Sequence, residues 1–93
     1  MFSWDARKAL QNYRKDGVPF EEAATVFSDP EGLDWEDLEH ADAERRWKRL
    51  GLSAKGRVLM VVYTLRRLRD DIEAIRIISA RHASRREREA YAG

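Results

Sequence analysis

Val58-Leu-Met-Val-Val-Tyr63 is the longest apolar run in this chain, and it limits the folds open to it. Six residues are far too few to span a bilayer. The run suits a central strand buried on both faces. Such a strand needs paired neighbours and a covering layer, so the sequence calls for a sheet with helices on at least one face. At 93 residues the chain is expected to form one domain, 1–93, with a modest core.

The flanking patterns supply the other elements. Asp5 is placed to cap a helix over 6–16, where Ala6, Ala9, Leu10 and Tyr13 repeat at helical spacing. Gly17 stops it. Pro19 suits the first turn of a second helix carrying Phe20, Ala23, Ala24 and Phe27. Two successive amphipathic helices predict a hairpin. Asp29-Pro-Glu-Gly32 reads as a turn. Alternation then predicts strands at Leu33–Asp37, Arg45–Ser53, Arg57–Leu65 and Glu73–Ala80, with a hairpin turn at Ser53-Ala-Lys-Gly56 and a polar connection over 66–71. Phe2 to Trp4 could add an edge strand. Ser84 and Glu87 have capping-box spacing and start a last helix over 84–92. The expected fold class is α+β: an N-terminal helical hairpin on a small antiparallel sheet of about four strands, then a short C-terminal helix.

Charge is segregated along the chain. Residues 1–28 carry four acids and four bases, residues 29–44 carry eight acids and no Lys or Arg, and residues 45–93 carry fourteen bases against five acids. The basic half has the electrostatic footprint of a nucleic-acid binder. The absence of Cys excludes disulfides, a thiolate nucleophile and a zinc knuckle. With two histidines and no metal-binding spacing, no metal and no cofactor are expected. The start, Met-Phe-Ser-Trp-Asp, lacks a signal-peptide pattern, so a cytoplasmic protein without membrane contact is expected.

RNA cleavage fits these residues. The 2′-OH of the substrate is the nucleophile, so a protein need only align the chain, stabilise charge on phosphorus oxygens and move protons. Arginine matches phosphate with a planar fork and stays charged. Arg76 interrupts an apolar strand and must reach the sheet surface or pair with an acid. Arg81 lies at that strand's end, and Arg85 and Arg86 at the following helix start, so the three could converge. Tyr91 could pack on the sheet, stack on a base or shuttle a proton. His40 sits among acids that favour its protonated form, and Glu44 follows four residues later. Arg57, His82 and Arg88 add RNA-binding candidates. The rival reading is a non-catalytic nucleic-acid-binding or interaction module with an Arg-rich face.

Ordered fragments now point to a family. They are Phe2-x-Trp4-Asp5-x-x-Lys8; Gly17-Val18-x-Phe20-Glu-Glu-Ala-Ala-Thr-Val-Phe27-x-Asp29-Pro30; His40 with Glu44, Arg46 and Gly51; Gly56-Arg57-x-Leu59-x-Val61-Val62; and Arg76-Ile-Ile-Ser-Ala-Arg81-x-Ala83-x-Arg85-Arg-Glu-Arg88-x-x-Tyr91. In order and spacing the chain resembles the BrnT family of ribonuclease toxins from type II toxin–antitoxin modules. The resemblance implies a RelE-like fold and cofactor-free RNA cleavage that arrests translation. It also implies a BrnA-like antitoxin, typically in a two-plus-two complex, that contacts operator DNA on the toxin's behalf. It places the active groove at Arg76, Arg81, Arg85, Arg86 and Tyr91, with His40 and Glu44 as contributors. This chain has Pro19 where members usually have Ser, Tyr63 where many have His, and Arg45 where an acid is common.

Overall fold

A computed structural model of the chain describes residues 1–40, 44–67, 69 and 73–93. The side chain of His40, and much of the connection expected over 66–71, lie outside the described residues.

Helix α1 (Ala6–Asp16) begins as expected, because the Asp5 carboxylate accepts from the Arg7 and Lys8 N–H groups at 2.9 and 3.1 Å. It ends at Gly17, whose φ of 71° lets its N–H donate back to the Tyr13 carbonyl. Helix α2 (Phe20–Thr25) starts after Pro19 and runs into a 3₁₀ turn, Val26–Ser28, that carries Phe27. The expected helical hairpin is corrected here. Both helices pack on the strand near the C-terminus. The short Gly17-Val18-Pro19 link buries Val18 completely, so each helix turns its apolar side to the sheet.

The sheet has five strands rather than about four, and it is mixed rather than purely antiparallel. They are β1 (Phe2–Ser3), β2 (Leu33–Asp37), β3 (Arg46–Leu52), β4 (Val58–Arg67) and β5 (Glu73–His82), in the order β1-β5-β4-β3-β2. The extra strand β1 pairs parallel with β5, Phe2 against Ile75 and Ser3 against Arg76. Two long-range contacts hold it: the Ile75 N–H donates to the Met1 carbonyl at 2.9 Å, and the Phe2 ring lies 5.4 Å from that of Phe27. Neither partner is near in sequence, which is why the pairing is hard to read locally. Helix α3 (Arg85–Ala92) follows Ser84, and the capping box forms in full.

The apolar run of β4 is central, as its composition requires. Leu59 and Val61 point to a first face, where they pack with Val18, Phe20, Ala23, Val26, Ile77 and Ala80 under α1 and α2. Met60 points to the second face and packs with Leu50 and Ala83, beside Val58 and Tyr91. On the first face β3 approaches the 3₁₀ turn closely: a Cβ at Gly51 would sit 3.0 Å from the Val26 Cβ, tighter than ordinary van der Waals contact. The β4–β5 register shifts between Val62 and Tyr63, so Val62 faces Ser79, Tyr63 faces Ile77, and Ile78 is the extra residue of a bulge.

A cation-lined groove as candidate active site

The second face of the sheet carries a groove of about 380 Å³. Strand periodicity builds its floor. Lys48, Val62 and Ser79 lie in one register row, and Leu50, Met60 and Arg81 in the next. The bulge turns both Ile78 and Ser79 toward it. Arg46 stands at the start of β3 opposite Asp37 of β2. The wall is the last turn of α1, with Asn12, Lys15 and Asp16. Four cations, Lys15, Arg46, Lys48 and Arg81, thus surround Met60 and Val62, against the two acids Asp16 and Asp37.

Asn12 holds that wall in place. It is buried, its amide donates to the Ala80 and Val18 carbonyls at 2.8 and 3.2 Å, and its oxygen accepts from the Ala80 N–H at 3.0 Å. Residue 80 is where β5 has run past the two-residue β1 and would otherwise show a bare edge. The side chain therefore replaces a missing strand.

The arginines anticipated from sequence do not all converge. Arg81 lines the groove, and its fork also meets both Glu87 oxygens at 2.8 and 2.9 Å. Arg76 shares the groove face by its register with Thr64, but it lies beyond the lining, where its charge adds slightly to the lowering of the Asp5 carboxyl that comes chiefly from the Lys8 N–H. Arg85 is exposed on α3, 3.4 Å from Glu89. Arg86 is also exposed on α3. Arg88 donates to the Ala83 carbonyl at 2.8 Å. Arg57 clamps the buried Glu22 on the first face, with His82 3.4 Å from its guanidinium and Ser53 donating to the same carboxylate. That clamp, more than the Ser53 bond, holds the Glu22 carboxyl below its usual range. Glu44 is exposed and lies 3.6 Å from Arg66. His40 ends a 3₁₀ turn, Leu38–His40, that begins directly after the groove residue Asp37.

Tyr91 and Tyr63 are structural in their contacts. Tyr91 packs against Leu50, Met60 and Ala83, and its hydroxyl donates to Asp29 at 2.5 Å, which raises its pKa. Tyr63 points to the first face. It packs edge-on to Phe27 at 4.9 Å and donates to Asp34 at 2.6 Å. Burial, with the Asp34 bond second, pushes its hydroxyl well above the usual phenol range. Tyr63 therefore stays a neutral hydrogen-bond donor at neutral pH, on the side of the sheet away from the groove. Lys15, Lys48 and Asn12 carry no motif in the sequence, and Arg46 stands there only within the family fragments. The signal for Arg46 and Lys48 was the period-2 row Arg46-Trp-Lys48-Arg-Leu50, which puts two cations and a core leucine on one side.

Glu87 gives a pH prediction. Arg81 chiefly, with the Ser84 N–H assisting, holds its carboxyl at about 2, below the ordinary 4.5. A depressed carboxyl stabilises the fold fully above pH 4.5 and loses that contribution as pH falls toward 2. Acid titration followed by thermal melts will show the unmodified chain losing stability faster than Glu87→Gln across that window.

A five-stranded sheet whose open face holds cations over an apolar floor defines a small basic α+β protein suited to an anionic ligand. Comparison with known proteins agrees with that class. A family profile described as "Ribonuclease toxin, BrnT, of type II toxin-antitoxin system" matches residues 4–87. The chain belongs to this family of ribonuclease toxins. The crystal structure of the Brucella abortus ribonuclease toxin BrnT superposes with a TM-score of 0.63 at 23% identity, covering 91% of this chain and 99% of that one. That likeness bears on the fold. Comparison with curated proteins gave no significant match. Among the described residues no helix is long and apolar enough to cross a membrane.

Proposed function

We propose that this toxin is a metal-independent endoribonuclease whose active site is the groove on the second face of the sheet. The observation that carries the reading is the placement of Lys15, Arg46, Lys48 and Arg81 around one apolar floor. Arg46 and Lys48 come from β3 and Arg81 from β5, two strand spacings away, roughly 10 Å across. A ribose-phosphate backbone lies between them, its non-bridging oxygens on the cations and a sugar or base on Met60 and Val62. The 2′-OH gives up its proton to water as its oxygen attacks the adjacent phosphorus, the P–O5′ bond breaks, and the cations stabilise the dianionic phosphorane between those events. A 2′,3′-cyclic phosphate and a 5′-hydroxyl leave.

His40, one 3₁₀ turn beyond Asp37, is proposed to carry the proton to the leaving 5′-oxygen, and Glu44 is proposed to assist the same transfer. Arg76 extends the cationic track along the same face. Arg85, Arg86 and Arg88 on α3, with Arg57 and His82 on the opposite face, add to the positive field that draws the polyanion in from solution. Tyr91 acts by anchoring α3 over one end of the groove. The partner is a BrnA-like antitoxin in a two-plus-two complex that touches DNA for both proteins.

Purified chain incubated with total RNA in EDTA tests this. The expected products end in 2′,3′-cyclic phosphate, and expression of the chain alone arrests growth. RNA that is bound but left intact overturns the nuclease reading in favour of a binding module.

A further inference from the structure

Strand β2 is the long free edge of the sheet, and among the described residues no strand lies beyond it. An edge strand offers a row of unused N–H and C=O groups, which proteins usually guard with Lys, Pro or a bulge. Leu33-Asp-Trp-Glu-Asp37 has none of the three in its pairing with β3. Its two sides differ. Leu33 and Trp35 point to the groove face, since they pair with Leu50 and Lys48, and they are 43% and 41% exposed. Leu52 on the same face and Leu38 just past the strand extend this apolar stripe, at 41% and 75% exposure. Asp34 and Glu36 point to the other face, and Glu31 and Glu39 flank the strand.

Chemistry selects the occupant. RNA is disfavoured, because eight acids and no Lys or Arg lie between residues 29 and 44. A second copy is disfavoured too: antiparallel pairing about Trp35 sets Asp34 against Glu36 and Leu33 against Asp37. Like charges directly opposed across strands destabilise the pair. We infer that the β2 edge docks an extended segment of a partner protein that alternates apolar and cationic residues, adding a sixth strand to the sheet. Main-chain bonds supply the affinity and the alternation supplies the selectivity. Its apolar residues cover Leu33 and Trp35, while its cations approach Asp34 and Glu36. Asp34 already binds Arg49 and accepts from Tyr63, and Glu36 binds Arg45, but a carboxylate oxygen accepts more than one donor, and Arg45 is 69% exposed and can swing aside. The edge adjoins the groove through Lys48 and Asp37, but the inference does not depend on the nuclease reading.

The test uses the full chain and three short synthetic peptides: alternating Lys and Val, alternating Glu and Val, and alternating Lys and Pro. Calorimetry is expected to detect the Lys–Val peptide alone, and amide exchange to slow at residues 33–37. Leu33→Lys combined with Trp35→Lys weakens that binding by about tenfold or more through charge repulsion. Lys15→Ala, on the α1 wall of the groove away from β2, binds the peptide as the unmodified chain does. Equal binding of the Glu–Val or Lys–Pro peptide overturns the inference, as does protection elsewhere in the sheet. So does sedimentation showing that the chain already pairs with itself through this edge.

Discussion

Lys48→Ala will cut RNA cleavage by about 10²- to 10³-fold, the usual loss when one preorganised charge is removed from a transition-state site. Lys48 is the cleanest probe of the groove. It sits on a central strand in register with Val62 and Ser79, and among the described residues it has no ion-pair partner to strand. Its loss therefore acts on chemistry with little effect on folding. Arg81→Ala will lose a comparable amount of activity and some stability, because Glu87 loses both guanidinium bonds. Arg81→Lys separates the two roles: it keeps the charge and loses the fork. Arg85→Ala with Arg86→Ala will behave differently. Both side chains are exposed on α3, so this pair is expected to flatten the salt dependence of RNA association and leave single-turnover cleavage nearly unchanged. Rapid-quench cleavage of a short RNA at two salt concentrations reads all of these. Cleavage by Lys48→Ala at the unmodified rate moves the active site out of the groove.

That contrast shows which parts of the molecule the primary structure displays. Signals carried by a few adjacent residues were legible. Asp5 caps α1, Gly17 ends it, Ser84 and Glu87 close the capping box, and the apolar run of β4 lies at the centre of the sheet. Features that depend on distant partners were not. The pairing of Phe2–Ser3 with β5 joins residues more than seventy positions apart. Arg57 reads as a spare cation until the fold brings Glu22 to it from thirty-five residues away. The C-terminal arginine cluster was visible as charge, yet only Arg81 points into the groove, since a strand and a capped helix send neighbouring side chains in different directions. Lys48 was overlooked because a lone lysine in an alternating strand resembles ordinary solvent-facing decoration. Its significance comes from standing two strands from Arg81.

Asn12→Ala is expected to cost about 2–4 kcal/mol, a large part of the roughly 5–15 kcal/mol that keeps a domain of this size folded. The residue fills little core volume, so the cost arises from hydrogen bonding. Removing its amide leaves the Ala80 N–H and C=O and the Val18 C=O without their partners, and both residues are almost wholly shielded from water. Each orphaned group costs about 1–3 kcal/mol, reduced where water enters from the adjoining groove. Asn12→Asp does not rescue the loss: a carboxylate can accept from the Ala80 N–H but repels the two carbonyls. Asn12→Leu restores volume without donors and should stay close to alanine in stability. Thermal melts will register the change as a drop of roughly 10 °C or more. Amide exchange at Ala80 will accelerate first, because the clamp acts on the β5 edge before it acts on the distant β2–β3 pair. The same edge positions Arg81, so RNA cleavage will fall even at temperatures where Asn12→Ala remains folded. A melting temperature within 2 °C of the unmodified chain would mean that solvent already serves the Ala80 edge (by the same scaling, about half a kcal/mol or less), and α1 would then be held to the sheet by its apolar face alone.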